Sequence, residues 1–135
     1  MDNALNLLGL ARRGGNIALG EEPVAEVCRL KKACVLFLAS DAGETSANRG
    51  KRMAESAGVP WTVSPWTKAE LGFAVGRATC ALAALTDRGL ARAVLQKLAE
   101  GNEEFLPLAR QLAHRSERRN HETQTSRAGK KPADR

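Results

Sequence analysis

The six residues from Cys34 to Ala39, CVLFLA, place the tightest limit on how this chain folds. They form an unbroken apolar run, preceded by Lys31-Lys32 and ended by Ser40-Asp41. A strand with one covered face alternates apolar and polar side chains, whereas a strand covered on both faces is apolar throughout. The run is therefore expected at the centre of a sheet with helices on either side.

The flanking sequence supplies those helices. Leu5, Leu8 and Ala11 recur at helical spacing, with Asp2 or Asn3 as a cap and Gly14-Gly15 as a stop. Asn16 to Leu19 suits a brief strand. Gly20 then breaks the pattern, and Glu21, Glu22 and Pro23 make an acidic first turn for a helix whose inner face is Val24, Val27 and Cys28. After the apolar run, Ala47, Gly50, Ala54 and Ala57 form a stripe of small residues on one helical face, closed by Gly58 and Pro60.

Trp61 to Val63 reads as a short strand. Thr67-Lys68-Ala69-Glu70 has the form of a capping box and opens another short helix. Thr79 to Leu85 is expected as the last strand, followed by a helix with Leu90, Val94, Leu95 and Leu98 inward. Strands and helices in alternation predict a three-layer α/β/α sandwich with a four-stranded sheet. Trp61, Trp66 and Phe73 are expected to pack in or at the edge of the core.

At 135 residues the chain is long enough for one domain with a real core. Residues 1–101 are expected to form it, with 102–135 as a basic tail. A helix with Phe105, Leu108 and Leu112 is expected from Glu103 to about Arg119, and disorder from Asn120 onward. From Pro107 to the end, eight Lys/Arg stand against three Asp/Glu, whereas the rest of the chain is nearly balanced. Most of the formal net charge of +6 thus belongs to the tail, and a basic stretch of this kind suits phosphate-rich partners.

Cys28, Cys34 and Cys80 have no C-x-x-C spacing and read as small buried hydrophobes. An odd cysteine count with no charged-then-apolar leader at Asp2-Asn3 points to a cytoplasmic, reducing setting. The longest apolar run is far short of the about 20 residues a bilayer requires. No metal or cofactor motif, phosphate loop or catalytic triad spacing is present, and His114 and His121 lie in the tail, so no catalytic residue is assigned.

Four segments together resemble the L-seven-Ae/L-thirty-e ribosomal-protein superfamily, and within it the bacterial YlxQ-type branch. They are LGLARRGGNIALGEE from Leu8 to Glu22, FLASDA from Phe37 to Ala42, GVP from Gly58 to Pro60, and TKAELGFAVGR from Thr67 to Arg77. The resemblance implies a mixed four-stranded sheet and non-catalytic binding of structured RNA, often at a kink-turn, in the ribosome or translation machinery. It implies that Gly20 lets main chain approach RNA, as a residue without Cβ can. Kink-turn readers of the family follow that glycine with a small residue, Asn, Glu and then a Lys; here the matching positions are Glu21, Glu22, Pro23 and Glu26. The first turn thus repels phosphate, while a carboxylate still accepts hydrogen bonds from guanine or cytosine edges.

The remaining candidate RNA-binding positions are Asp41, at the end of the central strand, and Arg77, Ala78 and Thr79, in the loop before the last strand. Arg12, Arg13 and Asn16 are expected near the same edge, with Lys51 and Arg52 extending the surface. Gly20→Val is expected to weaken binding with melting nearly unchanged. Structured RNA, ribosomal RNA or similar, is the expected partner, with ribosomal proteins as further partners; neither DNA nor a membrane is expected. The alternative is an adaptor that binds a ribosomal or translation-factor protein without reading RNA.

Overall fold

The computed structural model describes residues 3–113. Helix α1 (Asn3–Arg13) leads to β1 (Ile17–Leu19) and α2 (Glu21–Arg29), then to β2 (Val35–Leu38) and α3 (Glu44–Ala57). There follow β3 (Trp61–Val63), α4 (Lys68–Ala74), β4 (Leu82–Leu85) and α5 (Arg88–Gly101). A 3₁₀ turn, Glu103–Phe105, and helical residues 106–113 complete the described chain. Asp2, offered as a cap for α1, lies outside the described residues, as do the expected helix beyond 113 and the segment from Asn120 onward.

The four strands are ordered β1-β4-β2-β3. β2 pairs parallel with β3, and β4 runs antiparallel to both β1 and β2. The sheet is therefore mixed, as the resemblance implied. β2 and β4 occupy its centre, and every residue of both is buried.

The alternation of side chains explains why the apolar run needs no polar position. Val35, Phe37 and Ala39 enter one core with α1, α4 and α5, whereas Leu36 and Leu38 enter the other with α2 and α3. Each large side chain fully buried here contributes about 1.5–3 kcal/mol relative to exposure, so covering both faces of one short strand is a large part of what holds the layers together. On the α3 side the small stripe does what its composition requires: a Cβ on Gly50 would come within 2.9 Å of Leu38 Cδ2. Phe105, Ala109 and Leu112 are also buried, on the α1–α5 side.

Several expectations are corrected in detail. The last strand begins at Leu82, not Thr79, because residues 77–81 fold back across α4, with the Cys80 N–H donating to Lys68 O at 3.0 Å. Phe73 is 73% exposed, not buried. Leu71 and Val75 lie one helical turn apart and define the inner face of α4, which puts Phe73 on the opposite side. Ala91 takes a fully buried position in α5, while Leu90 is only partly covered. Cys34 is half-buried, in contrast to buried Cys28 and Cys80.

Trp66 packs edge-on against Phe37, with ring centroids 5.7 Å apart. Trp61 is half-buried on the edge strand, and Lys51 Nζ lies 5.2 Å from its ring centre. That contact occupies the Lys51 side chain.

Candidate nucleic-acid interface

Three chain segments meet where β1 and β2 end and β4 begins. The Gly20 N–H donates to Leu82 O at 3.1 Å, and the Ala39 N–H donates to Ala81 O at 2.8 Å. The start of α2, the turn after β2 and the loop before β4 are thereby held at one end of the sheet.

Gly20 is the N-cap of α2, with φ 86° and ψ 171°. That conformation is essentially restricted to glycine. No atom lies within 4 Å of the position a Cβ would take, so the turn faces open space. No side chain caps α2, Pro23 has no N–H, and among the described residues nothing accepts from the Glu21 and Glu22 amides. The electropositive end of the helix is accordingly accessible. The expectation that Gly20→Val leaves melting nearly unchanged is corrected by this φ: any side chain there is strained even though there is room for it.

The two acids behave differently. Arg49 Nη1 donates to Glu21 Oε1 at 2.9 Å, and Ser46 Oγ lies 3.3 Å from Glu21 Oε2. The Arg49 hydrogen bond holds the Glu21 carboxyl below its ordinary pKa against a smaller opposing effect of partial burial, with Arg49's charge and Ser46 assisting. Its oxygens are thus engaged with α3, whereas Glu22 is exposed. Ser46 and Arg49 escaped the sequence reading because their partner is 25 and 28 residues away and no local spacing announces the pairing.

The loop before β4 is pressed onto α4. The Arg77 N–H donates to Gly72 O at 2.8 Å, and Gly76 turns the chain with φ 77°. Arg77, Ala78 and Thr79 are all exposed. Cys80 then buries its thiol, with Sγ 3.3 Å from Leu82 O. Burial pushes that thiol's pKa up, while the Arg77 charge and the main chain of Leu82 and Gly20 pull the other way. The Gly20 N–H and the Cys80 thiol both donate to Leu82 O, which joins the loop to the Gly20 turn. Phe73, which the sequence reading placed inside, stands exposed four residues before Arg77, and its carbonyl accepts from the Gly76 N–H at 3.4 Å.

Asp41 belongs to the same end, but its Oδ1 accepts from the Lys68 N–H at 2.7 Å. It therefore works as a second cap on α4, beside the reciprocal capping box of Thr67 and Glu70.

Arg12, Arg13 and Asn16 are not brought to this edge. Asn16 O accepts from the Thr86 N–H at 2.9 Å, and Ile17 pairs with Leu85, so these residues lie at the start of β1 whereas Gly20 lies at its end. Four extended residue steps separate Asn16 from Gly20, roughly 13 Å. Arg52 is exposed on α3.

No family model matches the chain. The RNA-binding protein YlxQ of Enterococcus faecium is 32% identical over 98 residues, which span 73% of this chain and 92% of that protein. The chain belongs to the YlxQ-type branch of the L-seven-Ae/L-thirty-e superfamily.

Solved structures share the fold. A Bacillus halodurans protein of unknown function superposes with a TM-score of 0.67 at 26% identity, covering 73% of this chain and 98% of that one. The 15.5kD RNA binding protein of Giardia lamblia superposes with a TM-score of 0.57 at 20% identity, covering 71% and 82%, and so shares the fold. In this YlxQ-type chain, Glu26 is paired with Arg29 at 2.7 Å. Among the described residues, no cluster of three or more His, Cys, Asp or Glu is placed to hold a metal ion, and no helix is long and apolar enough to cross a membrane.

Proposed function

We propose that this chain is a non-catalytic RNA-binding protein of the translation machinery that meets structured RNA with the edge formed by Gly20, the Glu21 and Glu22 amides and the Arg77–Thr79 loop. The observation that carries the reading is the open, uncapped turn at Gly20 with an exposed loop anchored beside it, since the Gly20 N–H and the Cys80 thiol both donate to Leu82 O. Main chain without a Cβ approaches a base pair closely, and the free amides at the helix start donate to acceptor atoms on a base edge. Glu22 is the carboxylate free to accept from a base edge, since Glu21 is held by Arg49. Phe73 offers a ring on which a base stacks.

The groups gathered here bind and shape; none is paired as nucleophile and base. The RNA is a kink-turn-like or related element of ribosomal or transfer RNA, recognised by contacts other than the Asn, Glu and Lys of the kink-turn readers. The YlxQ-type relative, an RNA-binding protein by name, supports the RNA partner, and a cytoplasmic, ribosome-associated setting follows from such a partner.

An electrophoretic comparison of the intact chain with a kink-turn RNA, its G·A-disrupted variant and ribosomal RNA fragments tests the reading. Preference for particular folded RNAs is expected, together with its loss in Arg77→Gln. Absence of affinity for every folded RNA overturns it. Cross-linking in cells that recovers translation proteins and no RNA would favour the adaptor role instead.

A further inference from the structure

The edge at Gly20 leaves the opposite end of the sheet without a task. There the exit from α2, the turn at Gly15 and the start of α5 enclose an open cleft of about 610 Å³. Lys31, Lys32 and Arg88 line it, against one acid, Asp87. Asp87 Oδ2 already accepts from the Leu90 N–H at 2.9 Å as the cap of α5. Among the described residues none of the three cations has an ion-pair partner. Arg12 and Arg13 end α1 just ahead of the Gly15 turn, at this same end. Leu112 also lines the cleft.

Lys31 adds an independent sign. It is the one non-glycine with positive φ, 62°, among the described residues. Its N–H donates to Cys28 O at 3.1 Å and the Lys32 N–H donates to Val27 O at 2.8 Å, which closes α2 in the left-handed manner that glycine ordinarily serves. A lysine there strains the backbone. What it adds over glycine is an exposed ammonium on the wall of a cleft already basic.

We propose that this cleft is a second phosphate-binding site, taking the sugar-phosphate backbone of RNA at a place separate from the Gly20 edge. The identity of the polyanion rests on the function proposed above. The cleft holds the backbone by charge, without reading sequence, while the Gly20 edge selects the fold of the RNA. The strain at Lys31 is retained because the position serves binding.

The test uses the full chain, a loop-free RNA duplex of mixed sequence and the preferred folded RNA, with affinity followed across salt concentrations. Lys31→Gly is expected to raise the melting temperature and to make the salt dependence shallower by about 0.9 in logarithmic slope for one lost phosphate contact. Lys32→Gln/Arg88→Gln is expected to lower the slope by up to about twice that. Both variants should keep the wild-type preference for folded RNA over duplex, which Arg77→Gln should reduce.

A raised melting temperature in Lys31→Gly with unchanged slopes in both variants would overturn the proposal. If instead the wild type shows no preference among RNAs and Arg77→Gln has no effect, yet the cleft variants still flatten the duplex slope, the cleft stands and the Gly20 edge reading falls.

Discussion

A Cβ added to Gly72 would lie 2.8 Å from Thr79 Cα and 2.8 Å from Arg77 O. The loop that carries Arg77, Ala78 and Thr79 therefore rests directly on the backbone of α4, and the obstacle is main chain that cannot rotate away. Gly72→Ala should accordingly destabilise the fold by about 1–3 kcal/mol through overpacking, even though alanine is worth up to about 1 kcal/mol more than glycine inside a helix. Urea denaturation checks this. A neutral or stabilising result would mean that the loop is free to lift.

The exposed ring of Phe73 separates binding from stability. Phe73→Ala removes little core, so melting should change by no more than about 0.5 kcal/mol. RNA affinity should fall by about 1–3 kcal/mol if a base stacks on the ring. Fluorescence anisotropy with the preferred RNA decides, and undiminished affinity removes Phe73 from the interface.

Asp41 is held by one hydrogen bond of 2.7 Å to the Lys68 N–H. Asp41→Ala should lower stability by about 1 kcal/mol, the usual effect of removing a helix cap. Asp41→Asn keeps an acceptor oxygen and should lose less. Equal losses for the two variants in thermal melts would point to the charge and not to the cap.

Glu21 predicts a pH dependence with a definite sign. Its folded pKa lies below the ordinary carboxylate value because of Arg49. The pairing therefore stabilises the fold at pH above the unfolded value, and that contribution disappears as the pH falls through the lowered folded value. In Arg49→Gln the Glu21 carboxyl should titrate nearer the ordinary value, read from its carbon chemical shift. An identical titration in both proteins would show that the pair does not persist in solution.

Local features of the chain proved readable wherever they depend on neighbours a few residues apart. The CVLFLA run specified a strand covered on both sides, because period-two alternation leaves no polar position when both faces are dry. Thr67 and Glu70 specified a helix start because a capping box is completed within three residues. Gly20 stands at a strand-to-helix turn whose φ demands glycine. The order of elements, and with it the sandwich, followed from such signals.

What the sequence left open was every relationship set by which strand lies beside which. The Glu21–Arg49 pair spans 28 residues, and it exists only because α2 and α3 cover the same face of the sheet. Phe73 came out exposed because the inward stripe of a seven-residue helix is too short to read without its neighbours. Arg12, Arg13 and Asn16 look close to Gly20 in the chain, yet β1 is extended and carries them to opposite ends of the sheet. Short-range chemistry sets the elements, whereas the pairing of β4 between β1 and β2 decides which residues share an edge, and that pairing depends on closing loops whose outcome no local pattern records.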